Sequence, residues 1–548
     1  MDVAADLPPL GSHGPNGGQG AKSFLVGGGI ASLAAAAFMV RDGGVPGPDI
    51  TILEGLGTVG GSLDGAGTPE HGYVLRGGRM LEAKYLCTFG LFADIPVLDG
   101  TRSITQEIEA WNRARPTSSR ARLVRNGHRE EAPRFGLHER HILAIERLVL
   151  EPETLLGRTT IADQFDPAFF TTDFWFMWCT TFAFQPWHGA VEFKRYLARF
   201  AHMVAGFERL EGILRTPLNQ YDSLVRPLHK WLRDQGVRFE MDTRVTDLNF
   251  GAQHGKLAVT GLVVEQDGIA SMVEVRPGDR VLVTLGSMTD ASTLGGMDAA
   301  PAMGAKAAGG AWALWERIAA GQPGFVHPPL FGRPEVFSDH PAQSRWVSFT
   351  TTLSDPAFLH LVQDLTGNRP GEGGLVTFPD SAWLLSIVVP HQPHVPGQPE
   401  GVGVVWGYGL NMDRPGDFTN KPMPACTGRE IMAEVLGHLR VEAEAAGILQ
   451  TCICIPCMMP FITSQFMPRR RGDRPQVLPQ GTRNLAFIGQ FVELPLDVVF
   501  TVEYSIRSAQ VAVQGLLGLP HGPPPVYQGR FDPRVLLRAF RALHDMRA

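Results

Sequence analysis

The chain runs to 548 residues, 44% of them hydrophobic and 19% charged, with a formal net charge of −6. That length supports two or more domains with ample core, and the composition is that of a globular protein. The slightly acidic balance leaves no electrostatic footprint for nucleic acid, and six cysteines in so long a chain are not a disulfide framework, which points to a reducing, cytoplasmic setting.

Residues 1–20 are rich in Gly, Pro and polar side chains, with no basic segment leading into an apolar one. They read as a disordered tail and not as a signal peptide. Next comes SFLVGGGIASLAAAAFMVR, a Gly43-Gly44 stop, and a second apolar run ending in Glu54. The spacing predicts strand, glycine turn, helix and strand, with an acid at the tip, which is the unit that binds a dinucleotide. Gly27 makes the turn, and Gly29 lets backbone amides approach a pyrophosphate. Ile30, Ala31 and Ser32 open the helix whose N-terminus faces the negative charge, and Glu54 is placed to accept hydrogen bonds from a ribose. The apolar run Leu25–Val40 is too short and too broken by glycine to span a bilayer.

A helical pattern at Asp222–Gln235 is stopped by Gly236. It is followed by a predicted strand pair, 237–241 and 244–248, and by a strand ending at Gly286. A further apolar strand, Asn484 to Gln490, runs into Gly489 and precedes a helix near 501–516. Strands that end in glycine at the carboxyl edge of a parallel sheet are where ligands sit. The fold class expected is therefore α/β, a flavoprotein with two dinucleotide-binding domains. Segments 21–95, 222–300 and 476–515 make a discontinuous, Rossmann-like FAD domain, while 96–221 and 301–475 make a mixed β and helical substrate domain. Residues 516–548 form a linker and a C-terminal helix.

The aromatic stripes Phe169–Cys179 and Phe182–Trp187 are read mainly as core, with a wall for an aliphatic ligand as the alternative. Cys452-Ile-Cys-Ile-Pro-Cys457 lacks a matching second pair for zinc and alternates like a buried strand, so no metal is assigned. At the C-terminus Asp532 and Pro533 start a helix. Leu536, Ala539, Phe540, Leu543 and Met546 are expected on one face, with Arg534, Arg538 and Arg541 opposite. Such a helix either docks on the flavin domain or rests peripherally on an anionic membrane.

Seven motifs taken together make the chain recognisable: GGGIASLAAAAF, GGSLDGAG, RGGRM, FFTTDFWFMW, NQYDSL, PFITSQFMPR and FIGQFVELPLDVVFTVEYSIRSAQ. They span residues 21 to 515 and resemble the oleate hydratase family, also called myosin-cross-reactive antigens. The resemblance implies FAD, active as FADH2, and addition of water to the cis-9 double bond of oleic acid and related unsaturated free fatty acids. Gly60, Gly61, Ser62, Arg79, Val245, Gly286 and Gly489 join the glycine turn as expected FAD contacts, Val245 because its strand should lie beside the adenine. The resemblance makes Tyr221 the proton donor and assigns the substrate carboxylate to Thr463, Gln465 and Arg469.

One position departs from the family pattern. Met80 stands where the family carries the Glu assigned to water activation, and a thioether is no base at neutral pH. Glu82, two residues on, is the remaining candidate. The chain is therefore expected in a divergent branch. Two other readings stay open: an FAD-dependent oxidoreductase of amine oxidase or desaturase type, and a non-catalytic fatty-acid-binding flavoprotein. A monomer is expected over the homodimer common in the family, because no helical arm precedes the first strand.

Overall fold

Five parallel strands from distant parts of the chain lie side by side in the order Leu485–Ile488, Arg280–Thr284, Ser23–Val26, Ile50–Leu53 and Arg238–Glu240. This computed structural model describes residues 20–131, 134–321 and 329–544. Apart from Gly20, the predicted N-terminal tail therefore lies outside the described residues.

Ser23 stands opposite both Arg280 and Ile50, so the first strand is central. All residues of Ser23–Val26 and Ile50–Leu53 are buried, as expected where crossover helices cover both faces. The crossover between them is the helix Ile30–Arg41, buried from Ile30 through Met39. Its run of alanines lets it pack tightly under the sheet, against the long helix Val502–Leu517.

The structure corrects one expectation here. Segments 237–241 and 244–248 do not pair with each other. The first supplies Arg238–Glu240 at the edge of the parallel sheet, beside Ile50–Leu53. The second begins the strand Thr243–Gln253 of a separate three-stranded antiparallel sheet. Asp242 between them has φ +52°, a left-handed turn that sends the chain from one sheet to the other.

A third sheet has eight strands and is antiparallel except where Leu375–Thr377 meets Ala121–Arg125. Its central strands Trp346–Leu353 and Gly403–Gly409 are buried at every residue. The strand Ile453–Met459 carries Cys454 and Cys457. All six thiols are buried and free, and burial pushes the pKa of the thiols of this segment up.

The aromatic stripes form the helix Asp173–Phe182 and its surroundings. Phe174 stacks on Trp178 at 5.4 Å, and Phe182 stacks on Phe200 at 5.0 Å. These rings fill one another's space, which is the core reading.

The C-terminal helix spans Pro533–Leu543, capped by the Asp532 carboxylate on the Arg534 amide. Its docked side is Val535, Ala539, Ala542 and Leu543, and it leaves Leu536, Leu537 and Phe540 exposed. This corrects the expected face, because Leu536 and Phe540 do not share the buried side with Ala539. At about 100° per residue the exposed arc passes from Leu536, Phe540 and Leu537 to Arg541, Arg534 and Arg538. Met546 lies outside the described residues. No helix among those described is long and apolar enough to cross a membrane.

Candidate active site and nucleotide cradle

The carboxyl end of the first strand carries the expected glycine turn. Gly27 has φ +92°, which only glycine adopts readily, and its amide donates to Leu53 O at 2.8 Å. The Glu54 carboxylate accepts from the Gly28 amide at 2.5 Å and the Leu56 amide at 2.9 Å. Burial raises its pKa, against the pull of those amides. Gly29 forms a bridge with Gly60, and the Gly60 amide donates to Gly28 O at 2.9 Å. The loop Gly60–Gly61 therefore lies beside the glycine turn, with both residues at positive φ.

A Cβ placed on Gly29 would meet nothing within 4 Å. The helix behind it starts with Ile30 and Ala31 and has no acid in its first turn. An open space before an uncompensated helix N-terminus fits a diphosphate. Ser32 Oγ lies 3.2 Å from Thr284 Oγ1, tying helix to sheet. The Thr243 amide donates to Glu54 O at 2.9 Å, which puts Val245 two residues along a strand that starts at the acid. Gly286 and Gly489, both at positive φ, close the neighbouring strand ends. At Gly286 a Cβ would come within 2.9 Å of the Trp312 ring. The residues present thus fit a dinucleotide.

Tyr221 also reaches this cradle. It begins a π-helical turn, Tyr221–Val225, that leads into the helix Arg226–Asp234. Asn219 pins the turn, with its Oδ1 accepting from the Asp222 amide at 3.0 Å. The wider turn swings the phenol over the glycine loop. A Cβ on Gly60 would lie 3.3 Å from the Tyr221 ring, and the hydroxyl lies 3.2 Å from Thr58 Oγ1. Such turns recur at functional sites because they re-aim one side chain.

Beside the cradle lies a cavity of about 260 Å³ whose walls include Leu63, Asp64, Gly77, Gly78, Asn219 and Gln220. Its charged lining is Arg76, Arg79, Arg115, Arg215 and Arg369 against Asp64 and Glu372. Arg76 pairs with Asp64 at 2.7 Å. Arg79 donates to Ser62 O at 2.5 Å, and burial pushes its pKa down to about 10. Burial holds His394 at about 3 and lowers His391, so both are neutral at pH 7. Sequence reasoning missed Arg115, Arg215, Arg369 and the histidines. They come from separate loops, and no local pattern marks them as neighbours.

Met80 is half-buried and packs against the core. Glu82 is occupied elsewhere. It pairs with Arg199 at 2.8 Å, lies 3.6 Å from His202 Nε2, and accepts from the Lys84 amide. Burial opposes its ionisation, but His202 and Arg199 outweigh this and hold its pKa below the ordinary value. Glu82 does not line the cavity.

Thr463, Gln465 and Arg469 do not line it either. Thr463 Oγ1 donates to Ser344 O at 3.0 Å, and Gln465 Nε2 to Ile462 O at 3.1 Å. Arg469 pairs with Glu192 at 2.6 Å and Glu493 at 2.9 Å. Arg474 and Arg195 join the same two carboxylates at 3.2 Å and 2.7 Å. Burial would raise the pKa of Glu493, but Arg195, Arg469 and Arg474 hold it at about 2. Gln465 Oε1 and Arg469 Nη2 are buried without a hydrogen-bond partner in the protein.

The chain is similar in fold to a putrescine oxidase variant and to cyclohexylamine oxidase from Brevibacterium oxydans IH-35A. Each has a TM-score of 0.50 at 12% and 11% identity, over 91% of this chain and 98% and 99% of theirs. By sequence it is 38% identical to an oleate hydratase of Streptococcus pyogenes, over 97% of this chain and 91% of that protein. It is 33% identical to a linoleate hydratase of Lactiplantibacillus plantarum, over 96% of this chain and 98% of that one. Residues 20–514 match the MCRA family, and with these two relatives each covered over more than 90% of its length the chain belongs to that family.

Proposed function

We propose that the protein is an FAD-dependent fatty acid hydratase, which adds water across the cis-9 double bond of oleate and related unsaturated acids to give 10-hydroxy acids. The observation that carries this reading is the Tyr221 phenol lying over the Gly60–Gly61 loop of the nucleotide cradle, with Asn219 and Gln220, just before it in the chain, in the cavity wall. Bound FAD, in its reduced form, supplies an electron-rich ring whose field favours positive charge on the alkene. Gly27, Gly29, Glu54 and the Gly60–Ser62 loop hold the nucleotide, with Arg79, Val245, Gly286 and Gly489 around it. Tyr221 gives its phenolic proton to one alkene carbon while water adds to the other. The proton shed by that water restores the phenol, so no electrons are gained or lost.

Glu82 serves this site by position. Its ion pair with Arg199 fixes the end of the RGGRM loop, and backbone polar atoms, with those that FAD would supply when bound, would orient the water in place of a carboxylate at Met80. The polar end formed by Thr463, Gln465 and Arg469 receives the head group of the bound acyl chain. The support is the two buried atoms there that lack partners. The discontinuous segments given above are the proposed domains. The exposed apolar and arginine arc of the C-terminal helix suits peripheral contact with an anionic bilayer, where free fatty acids partition. In solution the protein is a monomer, so light scattering should return a mass near 59.7 kDa.

Oleate incubated with the protein and reduced FAD should gain one water by mass spectrometry. Loss of two hydrogens would replace the reading with an oxidase. Gly29→Val should abolish flavin binding, and a variant that purifies with full flavin content would remove Gly29 from the cradle. Deleting 531–548 should weaken sedimentation with anionic liposomes and leave the flavin bound. The non-catalytic reading is favoured by one feature, Met80, and predicts oleate binding with no water gained.

A further inference from the structure

The cavity holds more positive than negative side chains, and one of its arginines is left with no acid beside it. Arg215 is enclosed by protein and reached from the cavity. Its Nη2 donates to Gly373 O at 3.1 Å, and its Nε is buried with no hydrogen-bond partner. Burial alone acts on its pKa, pushing it down to about 10, so it remains a cation at neutral pH. Among the described residues no carboxylate forms an ion pair with it. The short strand pair nearby gives a reason. Leu81 stands opposite Leu214 and Glu82 opposite Ile213, so Met80 and Arg215 follow at the same end of this pair. The methionine at position 80 brings no acid to that end of the pair.

Two more cations stand at the exposed rim. Arg115 stacks over the Trp111 ring at 4.1 Å, and Trp111 meets His391 edge-on at 4.8 Å. Arg369 has only a loose contact with Glu372, at 3.8 Å. A buried cation without a counter-ion is costly, and a carboxylate arriving from outside offsets that cost through charge-assisted hydrogen bonds. Clustered like charge at the rim of a low-dielectric cavity also draws anions in from a distance.

We propose that Arg215, with Arg115 and Arg369 at the rim, forms a capture site for the carboxylate of the incoming long-chain acid. It is separate from the polar end at Arg469 and sets the preference for free acids over uncharged acyl compounds. The inference rests on the fatty-acid reading above but not on turnover. Here a carboxylate is first drawn by excess charge, whereas the Arg469 cluster, already balanced by its own acids, offers geometry without net attraction.

The test is stopped-flow association of a fluorescent polyene fatty acid with the flavin-loaded enzyme, and of the corresponding alcohol, across a salt series. In the wild type the acid should associate faster than the alcohol, and salt should erase the difference. Arg215→Gln should slow acid association and weaken acid binding by about tenfold or more, the size of a lost charge-assisted hydrogen bond. Alcohol binding should not change. Arg115→Glu with Arg369→Glu, both on exposed side chains, should slow the acid and flatten its salt dependence even if Arg215→Gln does not fold. Unchanged acid-over-alcohol preference in both variants would overturn the proposal. So would loss of flavin from Arg215→Gln with acid binding intact, because Arg215 would then serve the cofactor. If the protein binds acids in this way yet adds no water to oleate, the hydratase reading fails and the capture site stands.

Discussion

Two arginine-rich regions sit inside this protein, and they differ in how their charge is balanced. Around Arg469, three guanidiniums interleave with Glu192, Glu493 and Glu153 through contacts of 2.6 to 3.2 Å. In the cavity, five arginines meet two acids, and Arg215 meets none. The first arrangement is self-contained and ties Ala190–Arg199 to the segments carrying Arg469 and Glu493. The second is incomplete without an anion. Compensation, and not the number of arginines, separates a cluster with no net attraction from one that draws an anion in.

Removing a partner from the balanced cluster and changing the phenol over the nucleotide cradle should have opposite signatures. Glu192→Gln strands Arg469 and Arg474 in a buried setting and should cost about 3–5 kcal/mol of stability in a denaturant melt. Near the cavity, Tyr221→Phe should lower hydration by about 100- to 10,000-fold while the melt and the flavin content stay close to wild type. A Tyr221→Phe variant with wild-type turnover would take the proton-donor role away from that phenol.

A smaller effect sharpens the contrast through pH. Glu493 is held at about 2 in the folded protein, below the ordinary value of about 4.3 for a free Glu. Its contribution is therefore fully present above about pH 4.3 and is lost as pH falls towards about 2. The stability gap between wild type and Glu493→Gln should be widest near neutrality and narrow across that window. A gap independent of pH would mean that the carboxylate is not ionised in the network.

The smallest expected change is the most informative about the branch. Met80→Glu puts an acid next in the chain to the cavity-lining Arg79. It should raise kcat by giving the water a base, and raise KM a few-fold by pairing with Arg215. A rise in kcat with unchanged KM would show that the new carboxylate does not reach the guanidinium.

Much of the nucleotide cradle was legible in the sequence. Gly27, Gly29, Ser32 and Glu54 are close in the chain, and turn, helix start and strand tip follow from local backbone chemistry. Three of the five parallel strands, Ser23–Val26, Arg280–Thr284 and Leu485–Ile488, were legible too, as apolar runs leading into glycine. The pairing of 237–241 with 244–248 was misread because the turn at Asp242 resembles a hairpin until one sees which sheet each strand joins. The face of the C-terminal helix was misread for a similar reason, because helical spacing orders the side chains but docking chooses the arc that is buried.

By itself, the sequence determined the dinucleotide unit, the family and the identity of Tyr221 as a candidate acid, because these rest on residues near one another in the chain or on motifs matched as strings. The tertiary structure alone decided that Arg469 is neutralised, that Glu82 belongs to Arg199, and that Arg215 lines the cavity with no ion-pair partner among the described residues. Those facts depend on Coulomb interactions, which fall off with distance in space and take no account of separation along the chain. Arg215 and Arg369 are 154 positions apart in sequence and line one cavity.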